Sequence, residues 1–555
     1  MRATEDRNTG RPGRPWIQVT TLGDMLGRQA ELRPDAEALV FPGERLTYRD
    51  LAGRTQRFSR GLAGLGVRRG DRVGLLLPAS ADLVALLLAA AKLGAVPVPV
   101  SARFKARELA HVIVHSGMRI CVTASGDDGG SPDFPALLTE AIPGLRNQRL
   151  ADLDLPEAPE LRRIVLLGAT LNETAAAVSH ATVSAAEESV RVRDPAVLVY
   201  TSGTTAAPKG ALLSHEALVR LASGITGRLR LTPDDRVWTA IPLFHGGGIT
   251  FALTCVNAGC AFVHPGFFTP AGTPAYLEGE GVTVALAAFE TIWLPVLDQP
   301  DFPDRDLSRI RVVMVVGVAE RLRQMAARLP GAVQVSCVAM TESSAFLSLS
   351  HLDDPLDKRL TTGGHPMPGM ECRIVDPMGK DLPPGQRGEL LLRGPSAFDG
   401  YFRDPELTAR VIDSDGWYRS GDLAEMDVDG RVTFVSRLKD MLKVGGENVA
   451  AAEVEEFLLT HPAVSIAAVV AAPDARYVEV PAAFIQLKEG AHATESDVIG
   501  YCVGKIATYR VPRYVRFVAE WPMSGTKIRK HVLRASIREE LSRRGITEAP
   551  KPRVS

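Results

Sequence analysis

The stretch that most constrains how this chain folds is an apolar run that changes abruptly into a loop of hydroxyls and glycines ending in a lysine. Residues 196–200 are apolar and β-branched, which predicts a buried strand. The loop after it provides hydroxyl donors, close access to the backbone and one cation, from Thr201, Ser202, Gly203, Thr204, Thr205, Lys209 and Gly210. This composition favours an anion, and the helical spacing of residues 215–225 predicts that a polyphosphate here also faces a helix N-terminus. A polar surface turn is the alternative, since most clusters of these residue types are loops.

The order of residues in this loop differs from the Walker pattern, because no Gly-Lys-Ser/Thr closes it. Residues 200–210, Tyr-Thr-Ser-Gly-Thr-Thr-Ala-Ala-Pro-Lys-Gly, resemble instead the signature loop of the adenylate-forming superfamily. That superfamily includes acyl-CoA synthetases, peptide-synthetase adenylation domains and firefly luciferase. Further matches follow in the family's order: Pro-Leu-Phe-His-Gly at 242–246, Met-Thr-Glu at 340–342, Gly-Trp-Tyr-Arg-Ser-Gly-Asp at 416–422, Arg-Leu-Lys-Asp at 437–440 and a lysine at 527.

Length and composition restrict the class of protein. A chain of 555 residues is too long for a single core, and its formal net charge of -1 argues against a nucleic-acid partner. The six cysteines lie far apart without metal-ligand spacing, which predicts buried free thiols. The apolar stretch 83–100 contains a lysine and two prolines, so it predicts a buried helix followed by a strand rather than a membrane span. We therefore expect a cytoplasmic enzyme, monomeric or homodimeric, without a membrane or nucleic-acid partner.

Helical and extended patterns alternate along the chain, which predicts an α/β fold with parallel sheets. Residues 1–15 are polar and predict a flexible tail. The resemblance implies a large N-terminal domain, 16–439, of parallel sheets covered by helices plus a small barrel-like part. It also implies a small mobile C-terminal α+β domain, 440–555, that begins at a hinge, Asp440. In such enzymes the small domain swings so that two half-reactions share one site.

The resemblance assigns roles to residues of the nucleotide site. It implies that the hydroxyl loop and Lys209 hold the β- and γ-phosphates of ATP. Thr341 and Glu342 match positions that bind the α-phosphate and Mg²⁺, a hard cation that prefers carboxylate and phosphate oxygens. Asp422 and Arg437 match positions that hold the ribose hydroxyls, although a lone Asp after Gly is more often a turn residue. Contacts with adenine and the acyl group are implied for Gly317, Val318, Ala319, Val338, Ala339 and Met340.

Other matched positions concern the acid and the thioester step. His245 matches an aromatic or histidine at the entrance of the acyl site, and the alternative is an ordinary loop histidine. Lys527 matches the lysine that bridges the acyl carboxylate and the α-phosphate. In the plant coumarate-ligase branch, the positions of Lys443 and Asn448 assist catalysis. Gly445 and Gly446 border the path of the CoA pantetheine thiol, unless they form only a solvated turn.

The acid itself is only partly constrained. Amino-acid-activating relatives carry an aspartate that pairs with the substrate amine, but no Asp occurs between Asp235 and Asp298. We therefore expect a small carboxylic acid without an α-amino group. Residues 282–294 correspond to a helix that lines the acyl pocket in relatives. Three small residues there leave room for a bulky acid, unless they serve helix packing: Ala285, Ala287 and Ala288.

Three departures from the family pattern lead to a sharper hypothesis. Val338 replaces a tyrosine that stacks on adenine, Glu320 changes the turn after Gly317, and Thr526 separates Gly525 from Lys527. We hypothesise that adenylation is weakened or lost, so that the protein converts acyl-AMP from a separate adenylating enzyme into the CoA thioester. The alternatives are a complete ATP-dependent ligase, a non-catalytic acyl-adenylate binder, and transfer to a carrier-protein thiol.

Overall fold

The computed structural model describes residues 20–124, 132–201, 208–444, 447–524 and 527–551. The predicted tail, 1–15, and loop residues Ser202, Gly203, Thr204, Thr205, Gly445 and Gly446 lie outside these ranges. The described helices are Leu22–Leu32, Tyr48–Gly64, Ala81–Lys92, Ala106–Ser116, Phe134–Ala141, Ala169–Ala176, His180–Ser189, His215–Arg228, Gly246–Ala258, Thr273–Gly279, Glu290–Leu297, Ala319–Arg328, Leu356–Thr361, Pro405–Val411, Ala451–Leu459, Glu495–Cys502 and Lys530–Arg543.

Two largely parallel sheets, covered by helices, form the scaffold of the large domain. The first has seven strands, in the order Val333–Val335, Val312–Val316, Val284–Phe289, Arg236–Trp238, Ala261–Val263, Glu37–Phe41 and Glu44–Thr47, with only the last pair antiparallel. The second is wholly parallel, in the order Val96–Pro99, Arg72–Leu76, Ile120–Thr123 and Arg163–Leu166. The predicted α/β class is therefore confirmed.

The remaining strands are mostly antiparallel. In the large domain they form one four-stranded sheet, Glu371–Val375, Gly388–Arg393, Tyr418–Met426 and Val432–Arg437, and two three-stranded sheets, Gly400–Tyr401 with Lys209–Ser214 and Pro195–Thr201, and Cys337–Met340 with Ala345–Leu349 and His365–Pro366. The C-terminal sheet has the order Glu447–Ala450, Met441–Val444, Val478–Leu487 and Val464–Asp474, with Tyr514–Phe517 parallel to Val478–Leu487. A short hairpin joins Met523–Ser524 to Lys527–Ile528.

The buried apolar side chains form separate clusters before and after residues 433–441. One large cluster extends from Leu22 to Val432. Two others begin after it, at Leu442 and Ala468, and occupy opposite faces of the C-terminal sheet. Successive side chains of Val464–Asp474 point to opposite faces of this sheet, and both faces are covered, so these side chains alternate between the two clusters. The boundary at residue 440 remains a prediction.

The helix predicted over residues 215–225 is present, but not where a phosphate at the loop would meet it. Pro195–Thr201 pairs antiparallel with Lys209–Ser214, with Thr201 opposite Lys209. His215–Arg228 begins only after that second strand, where Ser214 Oγ accepts a hydrogen bond from the Ala217 N–H. Six strand residues place the helix start roughly 20 Å from Lys209. The expectation that a polyphosphate at the loop faces this N-terminus is therefore wrong.

Residues 282–294 also differ from their expected helix. They form the strand Val284–Phe289 followed by the helix Glu290–Leu297. Ala285 and Ala287 are fully buried in the sheet, whereas Ala288 is half-buried, with φ +62° at a register shift between Leu286 and Ala288. Small side chains at 285 and 287 thus serve packing of a central strand that is covered on both faces.

Other predictions are confirmed. The apolar stretch 83–100 lies in the buried helix Ala81–Lys92 and the strand Val96–Pro99. All six cysteines are free thiols, and only Cys372 is not fully buried. Within the described ranges, every helix is too short or too polar to cross a bilayer.

Candidate active site

A carboxylate and two tyrosines meet at the ends of a short turn and two strands of the large domain. Glu342 lies in the short turn Thr341–Ser343, and its Oε1 accepts a 2.7 Å hydrogen bond from the Tyr401 hydroxyl. The Tyr418 hydroxyl lies 3.4 Å from that of Tyr401, and the Phe398 ring packs edge-on against both tyrosines. Burial raises the pKa of Tyr401, and the Glu342 charge raises it further. Tyr401 therefore remains a hydrogen-bond donor that fixes the carboxylate.

Lys209 also contacts Tyr401, at the face of its ring. Its Nζ is 5.3 Å from the centre of the Tyr401 ring, a cation–π distance. The lysine and the carboxylate that were predicted to hold phosphate and metal thus contact the same tyrosine, one at its ring face and the other at its hydroxyl. Sequence reasoning did not single out Tyr401, and only its position after a glycine with φ +130°, Gly400, marks it as a constrained residue.

The residues present suit a Mg²⁺ ion that is held mainly by nucleotide. Among the described residues, no three His, Cys, Asp or Glu side chains group as a metal site. Glu342 supplies one ordered carboxylate, and Mg²⁺ is commonly bound by one or two carboxylates together with substrate phosphates. Glu342 therefore fits the predicted metal role, which stays a prediction.

The second predicted pair, Asp422 and Arg437, is held in register by neighbouring strands. The two residues are directly opposite on Tyr418–Met426 and Val432–Arg437, and Arg437 Nη1 lies 2.8 Å from Asp422 Oδ1. The Asp422 side chain is 3% exposed and that of Arg437 is 41% exposed. Ser420 Oγ accepts a hydrogen bond from the Asp422 N–H at 3.0 Å. This pair presents a fixed carboxylate beside a solvent-facing guanidinium, which suits vicinal hydroxyls.

Cations from both domains gather at the predicted hinge. Asp440 ends the turn Leu438–Asp440, and Arg534 of the helix Lys530–Arg543 lies 3.6 Å from its carboxylate. Burial lowers the pKa of Lys439, an effect that Asp440 opposes; the nearby cations that lower it further are Arg437, Lys209 and Arg534. The C-terminal helix therefore faces the side of the large domain that carries Lys209 and Arg437 in this pose. Lys439 is a second residue that sequence reasoning overlooked.

Val338, the first of the three strand residues predicted to contact adenine, points into the core. Val338 is 5% exposed, and a Cβ added at Gly363 would lie 2.4 Å from Val338 Cγ2. Ala339 is exposed, while Met340 and Thr341 are half-buried. The valine that replaces the family's tyrosine therefore packs in the core, against a glycine that leaves room for it.

The turn 317–320 is held by a carboxylate from another element. Glu290 Oε2 accepts a hydrogen bond from the Val318 N–H at 3.2 Å, and Glu290 Oε1 pairs with Arg321 at 3.1 Å. Arg321 Nη2 also donates to the Ser465 carbonyl of the C-terminal domain at 2.8 Å. Glu320 is exposed in the first turn of Ala319–Arg328, where it pairs with Arg323 and complements the helix dipole.

We expect Gly317→Ala to destabilise the large domain by about 1–3 kcal/mol. An added Cβ would lie 2.4 Å from Glu290 Oε2, so the carboxylate that holds Val318 and Arg321 must move. Thermal unfolding measures the change. Gly227→Ala is the matched control, because nothing lies within 4 Å of its added Cβ inside a helix. An unchanged unfolding temperature for Gly317→Ala would contradict this account of the turn.

The remaining predicted residues are dispersed in this pose. His245 is exposed and caps the helix Gly246–Ala258, its Nδ1 accepting from the Gly247 N–H at 3.1 Å. Lys443 is exposed, and its N–H donates to Glu479 Oε2 at 2.8 Å. Asn448 pairs with Lys443 across a hairpin, and Lys527 pairs with Ser524. Their predicted catalytic roles stay predictions.

Family models match both parts of the chain. The model of the AMP-binding enzyme family matches residues 26–402, and that of the AMP-binding enzyme C-terminal domain matches residues 453–527. The chain belongs to the AMP-binding enzyme family. This is the adenylate-forming superfamily that the motifs predicted, and the family assignment covers the Lys209, Glu342 and Tyr401 site within its first part.

Relatives of the family resemble this chain over almost its whole length. The protein YngI of Bacillus subtilis (strain 168) is 33% identical over 93% of this chain and 96% of its own. The mitochondrial medium-chain acyl-CoA ligase ACSF2 of Bos taurus is 32% identical over 94% of this chain and 88% of its own. A feruloyl-CoA synthase of Amycolatopsis sp is 31% identical over 91% of this chain and 96% of its own.

Solved structures of family members share the fold. ATP-bound MatB from Rhodopseudomonas palustris superposes with a TM-score of 0.81 at 26% identity, over 94% of this chain and 100% of that one. The anthranilate CoA ligase AuaEII in complex with anthranoyl-AMP also gives 0.81 at 26% identity, over 95% and 99%. Apo MatB gives 0.70, so this chain is more similar to the ATP-bound form of that protein.

Proposed function

We propose that this protein joins a small carboxylic acid to CoA in two steps, using ATP. The observation that carries the proposal is that Lys209 and Glu342 both contact Tyr401, at its ring face and at its hydroxyl, in a chain whose relatives include named acyl-CoA ligases. This arrangement holds a cation and a carboxylate against one tyrosine, which suits a nucleotide polyphosphate bound with a hard cation.

In the first step, a carboxylate oxygen attacks the α-phosphorus of ATP, acyl-AMP forms, and pyrophosphate leaves. Lys209 is proposed to hold the departing phosphates and Glu342 the metal, while Asp422 and Arg437 orient the ribose. Mg²⁺, when bound, supplies charge neutralisation at the phosphates. Lys527 is proposed to stabilise the transferring group. Glu342, Asp422 and Arg437 are already held by neighbouring side chains, which reduces the entropic cost of ordering them when the nucleotide binds.

In the second step, the CoA thiol attacks the acyl carbonyl, loses its proton, and releases AMP. We propose that rotation about Asp440 brings Lys443, Asn448 and the loop of Gly445 and Gly446 to the site. Two of the contacts that would break on rotation are Arg321 with the Ser465 carbonyl and the ion pair of Arg387 with Glu453. Both are single, partly exposed polar contacts, so they oppose rotation only weakly.

For the acid, we propose a carboxylate without an α-amino group. No aspartate occurs between Asp235 and Asp298 to pair with an amine. Three similar proteins are named for medium-chain acyl, feruloyl and anthranilate substrates, and none of these names refers to an α-amino acid. A first panel should therefore contain medium-chain aliphatic acids and aromatic acids.

The second candidate is an enzyme that forms the thioester only from preformed acyl-AMP. Two of the three departures that motivated it have structural roles, because Val338 packs against Gly363 and Glu320 pairs with Arg323 on the surface. The third, the two-residue connection between Met523–Ser524 and Lys527–Ile528, continues to favour it. A complete ligase is therefore our first proposal, and the half-enzyme is the second.

Product analysis by mass spectrometry of two parallel reactions tests the proposal. One contains the acid panel with ATP, Mg²⁺ and CoA, and the other contains the matching acyl-AMP panel with CoA. We expect acyl-CoA from both. Acyl-CoA from the adenylates alone would establish the half-enzyme with a separate adenylating partner. Bound adenylate without product from either reaction would mean a non-catalytic binder, and a carrier protein added in place of CoA tests the fourth alternative.

A further inference from the structure

Two histidines on one helix contact the hairpin that carries Lys209. His111 and His115 lie one turn apart on Ala106–Ser116, and their ring centres are stacked at 5.2 Å. Neither residue belongs to a motif of the sequence, and neither contacts Glu342. Both are half-buried beneath the hairpin of Pro195–Thr201 and Lys209–Ser214.

The first histidine holds the residue before Lys209. His111 Nε2 lies 2.9 Å from the Pro208 carbonyl oxygen. A carbonyl only accepts hydrogen bonds, so His111 carries its proton on Nε2 and donates. Proline has no N–H, which leaves its carbonyl as the sole polar backbone group through which residue 208 can be held. This bond fixes the chain directly on the N-terminal side of Lys209.

The second histidine contacts Tyr200, which is paired across the hairpin with the residue that follows Lys209. His115 Nδ1 lies 2.8 Å from the Tyr200 hydroxyl. Tyr200 is paired with Gly210, and a Cβ added at Gly210 would lie 3.3 Å from Tyr200 Cζ. The tyrosine ring therefore lies over the glycine that follows Lys209. Burial raises the pKa of Tyr200, so its hydroxyl keeps its proton and stays available for this hydrogen bond.

The two histidines line the same cavity as Lys209 and Tyr401. A cavity of about 260 Å³ is lined by His111, His115, Pro208, Lys209, Tyr401 and Phe402. The Phe402 ring packs edge-on against His115, with the ring centres 6.2 Å apart. Phe402 follows Tyr401 in the sequence, and Lys209 lies over the face of the Tyr401 ring. Lys209 is thus flanked on both sides of its backbone by residues that the two histidines hold.

We propose that His111 and His115 are positioning residues for Lys209, acting through Pro208 and through Tyr200 over Gly210. The proposal rests on the proposed function, in which Lys209 binds the phosphates of ATP. A positioning role predicts a selective effect. Loss of either contact lets Lys209 move, which weakens ATP binding and leaves the binding of the acid and of CoA unchanged.

The test measures KM for ATP, for the acid and for CoA in His111→Leu and His115→Leu. Each variant should raise KM for ATP about tenfold, as expected for the loss of one hydrogen bond, with the other two KM values within about twofold. His111→Gln keeps a donor near the Nε2 position and His115→Asn keeps an acceptor near the Nδ1 position, so both should restore KM for ATP to within about threefold. His180→Leu, an exposed histidine on another helix, is the matched control.

A double-mutant comparison separates the inference from the proposed function. In a Lys209→Met background, His111→Leu should change KM for ATP by less than about twofold, because it acts through the missing lysine. A further tenfold rise there, or equal rises in all three KM values, would overturn the positioning role. If Lys209→Met itself leaves KM for ATP unchanged, the proposed phosphate role of Lys209 is wrong. If the leucine variants unfold, the glutamine and asparagine variants decide, because a failure to retain KM for ATP contradicts the assigned contacts.

Discussion

Replacing Glu342 by glutamine is expected to lower acid-dependent acyl-CoA formation by about a hundred- to a thousandfold, the cost of removing one positioned charge from a developing phosphoryl transition state. The amide oxygen of glutamine still accepts the Tyr401 hydrogen bond, so the cluster of Tyr401, Tyr418 and Phe398 keeps its geometry. What is lost is the negative charge that the metal requires. The effect should therefore fall on adenylation, while conversion of added acyl-AMP to acyl-CoA stays within a few-fold of the unchanged protein.

Acid-dependent exchange of pyrophosphate into ATP, measured across a Mg²⁺ titration, reports this step directly. Glu342→Gln should need more Mg²⁺ to reach its reduced maximum. Glu320→Gln is a matched control, because Glu320 is exposed, pairs with Arg323 on the helix surface, and undergoes the same chemical change. Equal loss in both variants would show that net charge, rather than a metal-binding carboxylate, is responsible.

Lys527→Ala is expected to separate the two half-reactions. Loss of one stabiliser of developing charge costs about 2.7–4 kcal/mol, so exchange should fall about a hundred- to a thousandfold. The thioester step from acyl-AMP does not use this lysine and should stay within about threefold. Lys530→Ala is the matched control, because Lys530 is only three residues away and is paired with Glu455 at 2.7 Å inside the C-terminal domain.

The same experiment decides between the two proposed functions. If the unchanged protein shows acid-dependent exchange that Lys527→Ala removes, the two-residue connection before Lys527 supports a complete ligase. If the unchanged protein shows no exchange and Lys527→Ala changes nothing, the protein is a thioester-forming half-enzyme. Loss of both half-reactions in Lys527→Ala would contradict a role confined to adenylation.

Much of the fold was predictable, because helix and strand periodicities are local. The buried helix and strand within 83–100 were found from apolar runs alone. The failures arose where the same local pattern allows two pairings. Residues 209–214 continue the signature stretch as a second strand, so the helix after them starts far from Lys209. Strand pairing is a long-range contact that periodicity does not report.

The sequence by itself determined the family, because the family's motifs are local, and it singled out Lys209, Glu342 and Asp422 as the residues that we propose hold phosphate, metal and ribose. Tertiary structure alone decided how they are held. The Tyr401 hydroxyl reaches Glu342 across 59 residues of sequence, and His111 reaches Pro208 across 97. A tyrosine or a histidine outside a motif carries no local signal of its partner, since the partner is chosen by which strands and helices pack together.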